Sequence, residues 1–403
     1  MSMPIRRMAG LRTSIIRSFA ASAPPHNVSL ALGEPGWPLP DAAREALGDF
    51  ADEADRCSYG PNQGIPELLS ALLDYTNGQP HCASGGSGGS GGSAKPRPLE
   101  AENLMVTSGS QAALFAIFIA HVETGDVVAV PDPGFPVYRT LSTLAGGRTL
   151  TYPLAADGSL DPPALMTALD RHTRDGGAPV RLLVLNHPSN PTGGGATLAD
   201  LDDVASACAE RGILIVSDEA YRELYTDTPQ PSLTEVTDVA IVTTSVSKAW
   251  AAPGLRVGWA QGPADLLAPA RLVHNAMTTA PARPSQLAAA ALLRDSPRVL
   301  GQSRAELAAR WGLVEQHAPD WVRAAARPAG GFYLWVPIPA EAAGEDHAAW
   351  VAGLRDHGGV SVIPGAAFGR GGERHIRVSV GGPEDELVEG LRRMSAYSTG
   401  GES

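Results

Sequence analysis

Five short stretches carry residue types able to act together on one small molecule. Ser217-Asp218-Glu219-Ala220-Tyr221 sets a carboxylate and a phenol three residues apart after an apolar run, where both can face one ligand. Ser245-Val246-Ser247-Lys248 closes another such run and is followed by Pro253-Gly254-Leu255-Arg256-Val257-Gly258. A lysine among apolar neighbours has its pKa lowered, and a neutral amine is the nucleophile that forms imines with aldehydes. Taken alone, Lys248 would read as a solvated surface lysine. Asn186-His187-Pro188-Ser189-Asn190-Pro191-Thr192-Gly193 brings two asparagines out of a buried run, although proline and glycine explain its turn by themselves. Ser108-Gly109-Ser110-Gln111 leads into the apolar stretch from Ala112 to His121. A glycine turn feeding a helix start offers open amides and the positive dipole end to a phosphate, or else a serine simply caps the helix. Asp132-Pro133-Gly134-Phe135-Pro136-Val137-Tyr138 holds Phe135 between prolines, where its ring can stack on a flat ligand or pack in the core.

The elements that would position these residues alternate along the chain. Leu104–Thr107, Val127–Val130, Arg181–Leu185, Ile213–Val216 and Ala240–Thr244 read as strands, most of them closed by Pro, Gly, Asp or Ser. Helix-like segments lie among them, including Ile65–Tyr75 and Leu198–Arg211, the latter apolar at Leu198, Leu201, Val204, Ala205 and Cys208. The alternation predicts an α/β fold with a mainly parallel sheet covered by helices on both faces. Ligands of such sheets bind beyond the carboxyl ends of the strands, which is where the five stretches fall.

Bulk properties narrow the field. The chain has 403 residues, 43% hydrophobic and 18% charged, an ordinary globular composition. Its net charge of −12 argues against a non-specific nucleic-acid surface, because phosphate backbones recruit clustered Lys and Arg. Cys57, Cys82 and Cys208 show neither metal spacing nor a disulfide framework, so no metal site and a reducing cytoplasm are expected. No apolar run is long enough to span a bilayer. Arg6, Arg7, Arg12 and Arg17 interrupt the apolar residues before Ala23, so this segment reads as an arm packing on the body and not as a signal peptide. Ser84 to Ser93 is a Gly/Ser repeat without core-forming side chains, read as a surface loop.

Together, in this order, the motifs resemble the aspartate aminotransferase family, the class I/II aminotransferases of fold type I. The resemblance runs from about Val28 to Met394 and rests on Ser245-x-x-Lys248, Gly254-x-Arg256-x-Gly258, Asn190-Pro191-Thr192-Gly193 and Asp218-x-Ala220-Tyr221. It implies a large cofactor-binding domain, residues 41–280, around a mainly parallel seven-stranded sheet sandwiched by helices. A smaller α+β domain would come from the N-terminal segment (1–40) and the C-terminal segment (281–403). It further implies a pyridoxal 5′-phosphate enzyme that moves an amino group from an L-amino acid to a 2-oxo acid by a ping-pong route. Lys248 would carry the cofactor as a Schiff base and shuttle the proton. Asp218 would pair with the pyridine nitrogen, Asn190 and Tyr221 with the 3-oxygen, and Phe135 would stack on the ring. Ser110, Gln111, Ser245 and Arg256 would hold the phosphate, with Tyr59 reaching it from the other subunit of a homodimer. Arg377, awkward in its Ile/Val run without an anionic partner, would grip the substrate carboxylate beside the backbone of Gly33.

Departures from the family pattern bear on specificity. Gly36-Trp37 stands where the family commonly has an acid and a phenylalanine, and Trp250 lies two residues after Lys248. No second basic residue is assigned to a side-chain carboxylate, Arg283 being the nearest candidate and set aside. A neutral or aromatic donor is therefore expected ahead of aspartate, with 2-oxoglutarate as the family's usual acceptor. Two other outcomes stay open on the sequence. One is an enzyme of the same cofactor and fold that acts as a β-lyase, decarboxylase or oxidative enzyme. The other is a sensor domain, which would need a basic helix-turn-helix extension.

Overall fold

A computed structural model describes residues 24–53, 57–79, 98–339 and 346–398, with 11, 16 and 19 beside them. The Gly/Ser repeat, Cys82 and most of the arm before Ala23 lie outside the described residues.

Among the described residues, twelve strands follow one another: β1 (Val28–Ser29), β2 (Leu104–Thr107), β3 (Val127–Asp132), β4 (Arg148–Pro153), β5 (Val180–Asn186), β6 (Leu214–Asp218), β7 (Ile241–Ser245), β8 (Gly258–Gln261), β9 (Tyr333–Pro337), β10 (Val360–Ser361), β11 (Ile363–Pro364) and β12 (His375–Ser379). Seven of them form one sheet in the order β2-β8-β7-β6-β5-β3-β4. The pairs β7/β6, β6/β5, β5/β3 and β3/β4 are parallel, and only β8 runs against its neighbours.

Side chains alternate across this sheet, as the two-residue strand period requires. Val128, Val130, Leu182, Val184, Val216 and Ile241 share one core with the helices Ser110–His121, Val137–Ala145 and Ala264–Thr278. Ala129, Leu183, Leu185, Ile215 and Val242 enter a second core with the helices Pro162–Arg174 and Leu198–Arg211. Strands buried on both faces read as unbroken apolar runs, which is why β3, β5, β6 and β7 were visible in the sequence. The helix Leu198–Arg211 has the extent expected; Thr197 and Asp200 cap its start reciprocally and Gly212 ends it in the left-handed region.

The chain ends meet in two smaller sheets. β1 pairs with β10 in parallel, and β11, β12 and β9 form an antiparallel set. Both pack into a third core with the helices Pro66–Asn77, Arg283–Arg294, Ser296–His317 and Glu384–Ser398.

Candidate active site

The carboxyl ends of β2, β3, β5, β6 and β7 open onto one edge of the large sheet. β8 enters at that edge while its neighbours leave it, with Gly258 in register with both Thr107 and Ser245. Arg256, two residues before Gly258, is thereby delivered beside the starts of the Ser108 and Ser245 turns. Reversal of one strand brings a cation to where its neighbours bring hydroxyls and an amine.

At the β2 turn, Gly109 occupies the N-cap of the helix Ser110–His121 at φ +86°, and no side chain caps that helix. The plain serine cap is therefore not used, and the helix start faces outward. A Cβ on Gly109 would stand 2.4 Å from Arg256 Nη2, and one on Gly258 2.5 Å from the Ser110 nitrogen. Only glycine admits this approach. Arg256, itself at φ +54°, donates to Ser247 Oγ at 3.4 Å and to the Pro253 carbonyl at 2.9 Å, while the Ser247 amide donates to Ser245 Oγ at 3.3 Å. Arg256 and Gln111 are exposed and Ser110 half-buried, so the cradle is open to an anion. Bare backbone, a helix dipole, hydroxyls and a guanidinium are the donor set that suits a phosphate.

The β6 end is closed. Asp218 is buried and accepts from Tyr138 Oη at 2.8 Å. Burial pushes its carboxyl up to about 6, with the Tyr138 hydrogen bond and the charge of Lys248 acting the other way. Phe135 meets the Tyr138 ring edge-on at 5.7 Å. Asn186 ties two strand ends together: its Nδ2 donates to the Asp218 carbonyl and its Oδ1 accepts from the Asn190 amide, both at 2.8 Å.

Lys248 crosses from this edge to the N-terminal segment, where its Nζ donates to the Gly33 carbonyl at 2.6 Å. The same nitrogen lies 5.6 Å from the ring centres of Tyr221 and Phe332. Tyr221 Oη and Tyr333 Oη are 2.9 Å apart, and burial with this neighbour pushes the Tyr221 phenol well above 10, so it keeps its proton. Arg377, only 2% exposed, donates from Nη1 to Asn190 Oδ1 at 2.9 Å and from Nη2 to the Ala31 carbonyl at 2.6 Å. Its Nε has no partner among the described residues. A buried guanidinium with its Nε left open, and with no carboxylate against it among the described residues, has the chemistry that suits an anion.

The fold thus brings together Gly33, Ser110, Asn190, Asp218, Tyr221, Ser245, Lys248, Arg256 and Arg377, with Phe135 one ring removed. Tyr59 stands apart: it is 92% exposed, and no hydrogen bond or ring contact links it to the cluster among the described residues. Sequence reading missed Tyr138 and Tyr333, and it noted Asn186 without giving it a role. The proline-bounded stretch that exposed Phe135 already contained Tyr138, and Asn186 opened the stretch quoted for Asn190. Among the described residues, no three His, Cys, Asp or Glu side chains are grouped to hold a metal ion, and no helix is long and apolar enough to cross a membrane.

A family model described as aminotransferase class I and II matches residues 25–394. The chain belongs to the class I and II aminotransferases. This aminotransferase is 28% identical over 372 residues to LL-diaminopimelate aminotransferase 2 of Nostoc sp., covering 91% of this chain and 90% of that one. It is also 28% identical over 375 residues to an aspartate aminotransferase of Pyrococcus horikoshii, covering 91% and 89%. Among solved structures, a single mutant of Thermus thermophilus aspartate aminotransferase superposes with a TM-score of 0.84 at 25% identity, over 98% of this chain and 100% of that chain. The aminotransferase is accordingly a pyridoxal-phosphate-dependent transaminase of fold type I, acting on an amino acid and a 2-oxo acid, and the lyase alternative is not favoured. The glycine-lined cradle, the buried carboxylate and the lysine between them fit that cofactor.

Proposed function

We propose that Lys248 is the amine that holds the cofactor and the base that moves the substrate proton, with Asp218 holding a proton on the ring nitrogen. The single observation that carries this reading is the convergence of Lys248, Asp218 and Arg377, whose Nε is left open, on one aromatic-walled site. When bound, the cofactor supplies an aldehyde and an electron-withdrawing ring that stabilises negative charge on the donor's α-carbon. Asp218 keeps that ring protonated through its own negative charge, and Tyr138 orients the carboxylate for the task. Asn190 and Tyr221 donate to the ring's 3-oxygen, and Phe135 covers the ring face. Ser110, Gln111, Ser245 and Arg256 bind the phosphate, and Tyr59 is the residue we assign to the partner's phosphate in a homodimer.

Arg377 grips the α-carboxylate beside Gly33, which turns the α-proton of the donor toward Lys248 Nζ. Lys248 would take that proton on Nζ and return it two bonds further along, across the nitrogen the donor shares with the cofactor, proton-transfer help of a kind worth about 10²–10⁴ in rate. Tyr221, Phe332, Tyr333 and Phe368 exclude water from the path. Among the described residues, the cations of the cluster, Lys248, Arg256 and Arg377, each have a task already, which leaves none of them for a side-chain carboxylate. A neutral or aromatic L-amino acid is therefore the donor we propose, with 2-oxoglutarate as acceptor by analogy with the family. We assign the large domain to residues 41–280 and the protein to a reducing cytoplasm, a reading supported by cysteine spacing that suits neither a metal nor a disulfide framework.

Purified protein supplied with the cofactor should absorb in the visible, and Lys248→Ala should lose that band and turnover by about 10⁴-fold or more. Wild type without the band overturns the reading. A donor screen at fixed acceptor tests the substrate class, and a preference for aspartate would overturn it.

A further inference from the structure

Tyr333 stands at the meeting point of the groups assigned above. Its hydroxyl lies 2.9 Å from Tyr221 Oη. Its ring centre lies 4.1 Å from Arg377 Cζ, with Phe368 also near that guanidinium at 5.0 Å. The backbone of Gly33 passes so close that a Cβ there would stand 1.7 Å from Tyr333 Oη, and the Gly33 carbonyl is the acceptor of Lys248 Nζ. The small antiparallel sheet dictates this. Arg377 of β12 is in register with Trp335 of β9, so Tyr333, two residues earlier, projects from the same face as the arginine's diagonal neighbour. The glycine at position 33 thus has a reason beyond closeness to a carboxylate: the phenol occupies the space a side chain would need.

We propose that Tyr333 is a positioning residue that couples the carboxylate grip to the Tyr221 phenol through two separable parts. Its ring fixes the plane of the Arg377 guanidinium. Its hydroxyl donates to the Tyr221 oxygen, so that the Tyr221 proton points to the cofactor's 3-oxygen. The inference rests on the placement of Tyr221 at that oxygen and of Arg377 at the substrate carboxylate. The direction of the phenol pair follows from charge: a proton goes preferentially to an anionic oxygen, which makes Tyr221 the donor there and leaves Tyr333 to donate to Tyr221. Successive hydrogen bonds of this kind strengthen one another. The guanidinium is held at its edges by Asn190 and Ala31 and across its face by the Tyr333 ring, which leaves it one orientation in which to receive a carboxylate.

The test uses the cofactor-loaded enzyme with Tyr333→Phe, Tyr333→Leu, Tyr221→Phe and the Tyr221→Phe/Tyr333→Phe double variant. The readouts are the pH titration of the visible band and the donor KM. A donor on the 3-oxygen stabilises the form in which that oxygen carries full negative charge, so its loss moves the titration midpoint upward. Tyr333→Phe should raise the midpoint by roughly half a unit, in the direction of Tyr221→Phe but by less, and should leave KM within about twofold. The double variant should titrate with Tyr221→Phe. Tyr333→Leu should add a rise in KM of about tenfold, because the stacked face is lost. Should Tyr333→Leu not fold, Tyr333→Met takes its place, an unbranched side chain that adapts to core gaps. A Tyr333→Phe titration identical to wild type, with Tyr221→Phe shifted, overturns the coupling and leaves the Tyr221 assignment standing. An unshifted Tyr221→Phe overturns both. Equal KM rises in Tyr333→Phe and Tyr333→Leu overturn the separation of ring from hydroxyl.

Discussion

At the Asp218 end of the site, side chains do the holding. Tyr138 donates to Asp218, Asn186 ties the strand end beneath it, and Arg377 leans on Asn190 and the Tyr333 ring. At the Arg256 end, the backbone does the shaping: two glycines admit a guanidinium and a helix start, and the charged groups stay exposed. The first end is costly to build and rigid, since buried polar groups must each find a partner. The second is cheap and screened by solvent, so its specificity comes from shape. The closed end is suited to setting charge and protonation, the open end to catching an anion.

Four substitutions sharpen or break that contrast. Arg377→Leu removes charge-assisted donors from a buried site and should lower kcat/KM by roughly 10²–10³, mostly through KM, in steady-state kinetics. Asp218→Asn tests the cost of the closed end in protein without cofactor. Burial holds the Asp218 carboxyl at about 6 against an ordinary 3.8. The folded state therefore binds that proton more tightly, and the cost of the charge is fully present above about pH 6 and fades as the pH falls toward 4. Denaturant unfolding should show the variant more stable by about 3 kcal/mol at pH 8, with the gain vanishing near pH 4. A pH-independent difference would mean the carboxyl is not desolvated. Gly109→Ala places a Cβ against Arg256 in a left-handed turn and should weaken cofactor binding by about tenfold, read from equilibrium titration. Arg256→Lys keeps the charge but loses the planar fork; affinity should drop only a few-fold, and less at high salt. If the lysine variant loses more than the alanine one, the open end is not governed by shape.

The same contrast explains what the sequence made legible. The open end is written in contiguous motifs, Ser108-Gly109-Ser110-Gln111 and Gly254-x-Arg256-x-Gly258, whose glycines announce the close approach. The buried strands and the helix Leu198–Arg211 were legible because their periods are local. The closed end is written across distance. Tyr138 and Asp218 are 80 residues apart, and Tyr221 and Tyr333 are 112 apart, so no window of sequence contains either pair. Two strands of the large sheet also escaped. β4 is exposed along most of its length, and β8 is four residues long and begins with glycine.

The reversal of β8 has a mechanical consequence. Because β8 is hydrogen-bonded on both sides, to β2 and to β7, the segment from Val246 to Val257 is clamped at each end and works as a caliper. Lys248 lies near one end of this segment and Arg256 near the other, so the sheet fixes where both backbones sit. An inserted residue cannot be absorbed by sliding β8, since a one-step slip turns Trp259 and Ala260 to opposite faces. Redesign toward a longer or shorter prosthetic molecule would have to begin by resetting this span.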